Sequence, residues 1–323
     1  MNLYLATRGG LVICQRKNDD WQVVDRVLRD EQVTSVMARE GVILAGTING
    51  VQRSDDNGAS WRAVNNGLTH KHVRWLAYHP DISDLEFAGT EPAGIFLSQD
   101  GAEHWATRPE VATLRDEHEW MLPYSPEAGC VRGYAFHGQR VYAAVEVGGV
   151  LRSDDGGLTW ALAPGSDGDP NLGGPPEPFI YPDIHDIAVH PSDPDLVFAA
   201  TGGGFYRSDD GGATWDLLYS CYCRGLWLDP DDPDHIIFGP ARYVGAGGRI
   251  EESHDGGQNW TLASEGLEVP WARTMPERIT QIGDELMVVL DDGRVLCRSL
   301  AEPVWRWLFE DIKSVNAVCA MGE

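Results

Sequence analysis

Arginine and histidine recur at one place in a set of units that can be aligned by eye. One unit begins Val73-Arg74-Trp75-Leu76-Ala77-Tyr78-His79-Pro80, another Ile184-His185-Asp186-Ile187-Ala188-Val189-His190-Pro191. The second position of each unit defines a column: Thr34, Arg74, Arg132, His185, Arg224, Arg278 and Asn316. Guanidinium forks bind carboxylate, sulfate or phosphate groups in bidentate fashion. Arginines that face one another are costly unless something anionic lies between them. Two sources of that anion are open. One is internal, because the turns expected on the same side supply Glu91, Glu146 and Asp291, along with Arg8 and Arg242. The other is a small anionic or carbohydrate-like ligand bound by Arg8, Arg74, Arg132, Arg224, Arg242 and Arg278, with Glu91 beside them.

The same set contains groups able to move protons. Two facing carboxylates hydrolyse glycosidic bonds, and Glu91 and Glu146 are candidates for such a pair. A lyase acting on a uronate uses arginine to neutralise the carboxylate and a histidine or tyrosine as base. His185, Tyr222 and Tyr243 are of the right type. Glu146, His185 and Tyr243 are the candidate catalytic residues.

A repeat must position these side chains. Ser-Asp-Asp-Gly-Gly-x-Thr-Trp occurs twice, and three near-copies accompany it: Ser54 to Trp61, Ser98 to Trp105, Ser153 to Trp160, Ser208 to Trp215 and Ser253 to Trp260. Each keeps Ser, Asp two residues on and Trp seven residues on; Gly stands at the fifth place except at Ala102. The aspartate accepts backbone N–H bonds within a tight turn. Gly supplies the positive φ such a turn needs, and Trp anchors the turn in the sheet. Alternating segments flank each turn, as in Gly149-Val150-Leu151-Arg152 before and Trp160-Ala161-Leu162 after. Each unit therefore predicts a four-stranded blade, A to D, with the turn between C and D.

Two units have lost the motif. Leu3 to Val24 carries Cys14 and Trp21; Ile279 to Leu308 carries Cys297 and Trp305. The first lacks a strand A, and Val315 to Ala320 has no strands after it. Joining them closes the ring with strands from both termini and removes an open edge. The expectation is an all-β, seven-bladed β-propeller occupying residues 1–323 as one domain. Helix is limited to one turn at Asp116 to Met121.

These turns make the chain resemble the Asp-box (BNR) β-propellers of the sialidase and glycoside-hydrolase-like superfamily. The resemblance covers nearly the whole chain and implies the fold. Its members include sialidases, other glycoside hydrolases, sorting-receptor ectodomains and a photosystem assembly factor. A sialidase would imply an arginine triad, a Tyr–Glu nucleophile pair and an acidic proton donor. The Arg-Ile-Pro motif of sialidases is absent, and sialidases usually have six blades. A non-catalytic scaffold or assembly protein, with a protein partner, is the alternative the family equally implies.

In such a ring the D-to-A and B-to-C connections share one rim. The long D-to-A segments Ala106 to Val131 and Ala161 to Asp183 bring Trp120, Tyr124 and Tyr181 there, with Trp120 a candidate ligand contact. Pro240 to Gly248 extends a B-to-C turn and carries Arg242 and Tyr243. Net charge is −25, from 50 acidic and 25 basic residues, which disfavours nucleic acid and anionic membranes as partners. Cys221-Tyr222-Cys223 has no second pair at zinc spacing, so no metal and no cofactor is expected. Met1 to Ala6 shows no signal peptide and no apolar span follows, which makes the cytoplasm the expected location.

Overall fold

The computed structural model describes all residues except 19, 123, 126–127, 172, 174–177 and 322–323. Among the described residues the strands form seven four-stranded antiparallel sheets, each the blade of a seven-bladed β-propeller. The inner strands are Val315–Met321 in blade 1, then Val33–Arg39, His72–Tyr78, Cys130–His137, Ile184–Val189, Tyr222–Asp229 and Pro276–Ile282 in blades 2 to 7. Blade 1 is built as expected from both ends of the chain: Val315–Met321 pairs antiparallel with Asn2–Thr7, setting Leu3 opposite Ala320 and Leu5 opposite Val318.

Second strands such as Glu86–Glu91 and Glu285–Leu290 are buried along their whole length. Each lies between two neighbouring blades, so both faces of the pleat need apolar side chains. Phe87 and Leu97 of blade 3 accordingly share one cluster with Val141, Leu151 and Trp160 of blade 4. Outer strands such as Arg62–Ala63 are short and exposed, while that of blade 1, Asp20–Val27, is longer.

The repeated turns are built alike. In blade 4 the Ser153 hydroxyl donates to Asp155 Oδ1 at 2.8 Å and accepts the Gly157 N–H at 2.9 Å. Asp155 also accepts the Thr159 N–H at 2.9 Å and the Thr159 hydroxyl at 2.6 Å. Trp160 closes the turn by donating Nε1–H to the Gly157 carbonyl at 3.0 Å. Asp155→Ala is expected to cost about 1–2 kcal/mol, the usual loss when a cap acceptor is removed. A lower urea midpoint at unchanged slope would show it; an unchanged midpoint would mean that water replaces the carboxylate.

The described helix is Pro109–Glu117, not a turn at Asp116 to Met121. Pro109 starts it, where a missing N–H costs nothing, and Glu110 favours the positive end of the helix dipole. No described helix is long and apolar enough to cross a membrane.

Every inner strand carries a bulge near its start, one residue longer than its partner. The extra residues are Thr34, Arg74, Arg132, His185, Glu277 and Asn316, and in blade 6 the pair Arg224-Gly225 against Gly239. A bulge breaks the pleat and re-aims one side chain. Repeated around a ring, it turns a column in the sequence into a circle of side chains at one end of the channel.

Candidate functional site

Six of the seven bulge residues line a cavity of about 720 Å³ at the channel mouth: Thr34, Arg74, Arg132, Arg224, Glu277 and Asn316. Turns of the same rim complete it with Arg8, Ile48, Val244 and Asp291, and Trp75 and Tyr124 add aromatic surface. Blade 7 departs from the expected column. Its bulge residue is Glu277, and Arg278 follows one position later, inside the ladder.

That single-residue shift supplies the missing counter-charge. Arg132 donates to both Glu146, at 2.8 Å, and Glu277. Glu277 accepts a second bond from Arg224 at 2.6 Å. Arg74 pairs with Glu91 at 2.9 Å, and Ser125 donates to the other oxygen of Glu91 at 2.7 Å. Arg278 also lines the cavity, donating to Asp186 at 2.7 Å and to the Arg132 carbonyl at 2.6 Å. Its guanidinium lies 4.0 Å from the centre of the Trp75 ring, a cation–π contact. The four arginines of the column are thus each paired with a carboxylate of the protein. Of the carboxylates expected as internal partners, Glu91 and Glu146 pair with arginines, whereas Asp291 accepts from the Thr274 hydroxyl and the Met275 N–H.

Electrostatics follow from these pairs. Burial alone would raise the Glu146 carboxyl, but the Arg132 charge and the Tyr124 hydrogen bond hold it well below the usual range. Burial also opposes ionisation of Glu277, yet Arg132 and Arg224 bring it down to about 2. Asp186 moves the other way, because burial outweighs Arg278. Tyr124, whose hydroxyl donates to Glu146 at 2.5 Å, is pushed up by burial and by the Glu146 charge. Burial likewise raises Tyr222. Near neutral pH Glu146 and Glu277 are therefore ionised, and Tyr124 and Tyr222 keep their protons.

The remaining expected residues divide. His185 takes its place in the circle but is closed off: Nδ1 lies 2.8 Å from the Cys223 carbonyl, and Nε2 lies 3.2 Å from Asp183 and 3.3 Å from the Tyr222 hydroxyl. A solvent-facing base is not what it provides. Arg8 is exposed on the rim of the cavity, without an ion pair among the described residues. Arg242 is exposed and faces a separate recess with Tyr219, Cys221 and Arg249. Tyr243 is exposed on the same loop and does not line the mouth. Trp120 is a correction. It is 2% exposed, packs against Ala93 and Val145 in the core, and donates to the Gly168 carbonyl at 2.9 Å. The loop that carries it folds inward over blades 3 and 4, so its indole fills core. Tyr124, expected on the rim, does line the mouth, whereas Glu277, Asp186 and Ser125 were not among the expected residues. For Glu277 the signal was its place beside Arg278 at a register set only by the bulge.

Glu146, Asp183 and His185 bring ligand atoms within 4.8 Å of one another. Arg132 already occupies Glu146 at 2.8 Å, a competitor for any cation there.

No known protein-family profile matches the sequence. A xyloglucanase of Hypocrea jecorina (strain QM6a) is 25% identical over 195 residues, covering 54% of this chain and 21% of that protein. The chain thus spans about a fifth of the length of this curated relative. Among solved structures, the GH74 enzyme of Niastella koreensis superposes with a TM-score of 0.68 at 17% identity, over 97% of this chain and 52% of that one. An ancestral GH74 enzyme gives 0.63 at 16% identity, over 98% and 39%. YCF48 bound to D1 peptide gives 0.62 at 16% identity, over 92% and 88%. The fold that this chain shares with these structures is the propeller. At these identities the solved structures establish architecture and leave the chemistry to the site.

Proposed function

We propose that the channel mouth binds a carbohydrate-like ligand through its ion-paired arginines, without general-acid hydrolysis. The observation that carries this is the pairing of every arginine in the column with a carboxylate, Glu277 being shared by Arg132 and Arg224. A paired guanidinium attracts a free anion weakly but keeps spare N–H donors, and its carboxylate keeps spare lone pairs. Fixed donors and acceptors side by side suit the hydroxyl groups of a sugar, and Trp75 and Tyr124 offer faces to its carbon skeleton. Hydrolysis by paired carboxylates needs one carboxyl protonated near neutral pH. Glu146 and Glu277 are both driven the other way, and Asp186, which burial does raise, is engaged by Arg278 at 2.7 Å. The five repeated turns support kinship with the Asp-box propellers, and the xyloglucanase match supports the same ligand class.

A protein partner is a second reading. It is favoured by apolar side chains exposed around the same arginines, Ile48, Tyr124 and Val244, and by the match to most of YCF48.

Calorimetry with neutral β-glucan and xyloglucan oligosaccharides, uronate oligomers and citrate, each beside sodium chloride at equal ionic strength, separates these. Saturable binding of a neutral oligosaccharide is expected, with no release of reducing ends. Arg224→Ala should weaken it by about 10- to 100-fold, the value of a hydrogen bond to a charged group. Citrate binding that Arg224→Ala abolishes would replace this reading with a simple anion site. Reducing-end release would make the protein a hydrolase. No binding of any sugar would leave the protein-partner reading.

A further inference from the structure

We propose that blade 6 carries a binding site for a divalent transition metal of zinc type, formed by His235, Glu252 and His254, none of which lines the mouth. The repeat itself exposes this site. In blades 2, 4 and 5 the residue before the turn serine is arginine and the residue after it is aspartate: Arg53 and Asp55, Arg152 and Asp154, Arg207 and Asp209. The aspartate clasps the arginine at 2.6, 2.8 and 2.7 Å respectively. The arginine then donates to a glycine carbonyl in the next blade's turn, Gly101, Gly211 or Gly256. In blade 6 these two positions are Glu252 and His254, with the signs of charge exchanged. The arginine-to-glycine clamp is exchanged for an ion pair between Glu252 and Arg298 of blade 7, and the second strand brings His235 beside it.

The three side chains converge on one point. Glu252 Oε1 lies 2.6 Å from His235 Nε2 and 3.6 Å from His254 Nε2. The two imidazoles are stacked, with centroids 4.4 Å apart and planes 20° from parallel. One ligand atom from each residue lies within 4.8 Å of the others. Tetrahedral zinc with bonds of about 2.0–2.2 Å sets its ligand atoms roughly 3.3 Å apart. Only the Glu252–His235 contact must open, and His254, 65% exposed, is free to follow.

The surroundings are those of a ligating histidine. Asp229 Oδ2 lies 2.8 Å from His235 Nδ1, the carboxylate contact that fixes the tautomer and turns Nε2 toward a metal. Trp227 meets the His235 ring edge-on at 5.2 Å and walls one side. Arg298 of blade 7, itself buried, donates to the same Glu252 oxygen at 3.3 Å, a longer contact than the 2.8 Å Arg132–Glu146 pair and one that a metal on Oε1 would displace. With Asp229, Glu252 and Arg298 the cluster is net anionic, which favours a dication. Two imidazoles and one carboxylate suit zinc, cobalt or nickel rather than magnesium or calcium. Three protein ligands leave a position for water.

The test uses untagged full-length protein freed of metal by chelation. Titration with zinc chloride should show one tightly bound ion per chain. Cobalt(II) should give visible d–d absorption without a thiolate charge-transfer band, since six free cysteines are present. His254→Ala, at an exposed position, should weaken zinc binding at least tenfold and remove the cobalt spectrum. Asp229→Asn should weaken it by about 10- to 100-fold, as expected of an outer-shell partner. His104→Ala, at an exposed histidine of another turn, should leave binding unchanged. Absence of saturable binding, binding unaltered by His254→Ala and Asp229→Asn, or a thiolate signature would each overturn the assignment.

Discussion

A chain lacking residues 314–323 is expected to aggregate rather than melt at a slightly lower temperature. Val315–Met321 is the inner strand of blade 1, paired along the whole of Asn2–Thr7. Val315, Val318 and Met321 are each less than 9% exposed. Burying three such side chains contributes about 1.5–3 kcal/mol apiece, a sum comparable with the whole stability of a typical domain. Removing the strand also bares the backbone of Asn2–Thr7 as an open edge, a template for pairing with another copy. It opens the clusters on both sides at once, since Val318 packs with Leu3 and Ala317 with Tyr4. Gel filtration and a thermal melt check this. A monomeric truncated protein with the full-length melting curve would refute closure by this strand. Val318→Ala serves as the milder form, with an expected loss of about 1–2 kcal/mol in urea unfolding.

The ring was legible because its turns tolerate few residues. A Ser, an Asp and a Gly at fixed places are each required by a bond or a backbone angle, so the motif survives in sequence. Closure was legible for the complementary reason: Val315 to Ala320 alternates like a strand A yet has no blade of its own. The column of arginines was visible too, but not its meaning. A bulge inserts one residue and shifts the phase by one, which alternation of polar and apolar residues does not reveal. Hence Arg278 took the place that belongs to Glu277, and the carboxylate that joins Arg132 to Arg224 was overlooked. Trp120 failed differently. Length and polarity marked its loop as surface, whereas the helix Pro109–Glu117 draws the segment onto blades 3 and 4. The histidines of blade 6 show no ligand spacing, because one comes from a second strand and the other from a turn. Their signal lies in comparing blades, where Glu252 and His254 replace an arginine and an aspartate.

Arg132→Ala is expected to cost about 3–5 kcal/mol, because it leaves buried carboxylates without their cation. The Arg132 and Glu146 side chains are 7% and 3% exposed, so water cannot take over. Glu277 would keep Arg224 alone. The sign of the pH dependence follows from the same pairs. Glu277 falls from an ordinary 4.5 to about 2 in the folded protein, and Glu146 lies well below its usual range. A lowered folded-state pKa stabilises the protein fully above the unfolded value. That contribution is lost as pH drops from about 4.5 toward 2. The melting temperature of the wild type should therefore fall steeply through this window. The variant, its carboxyls less depressed, should fall less, so the gap between the two narrows in acid. Arg132→Met with Glu146→Gln removes both charges and should recover much of the loss, because a neutral pair has no orphaned ion to bury. If Arg132→Ala instead left the free protein as stable as before and only removed stabilisation by added citrate, the arginine would be an unpaired ligand contact and the ion-pair network would not exist in solution.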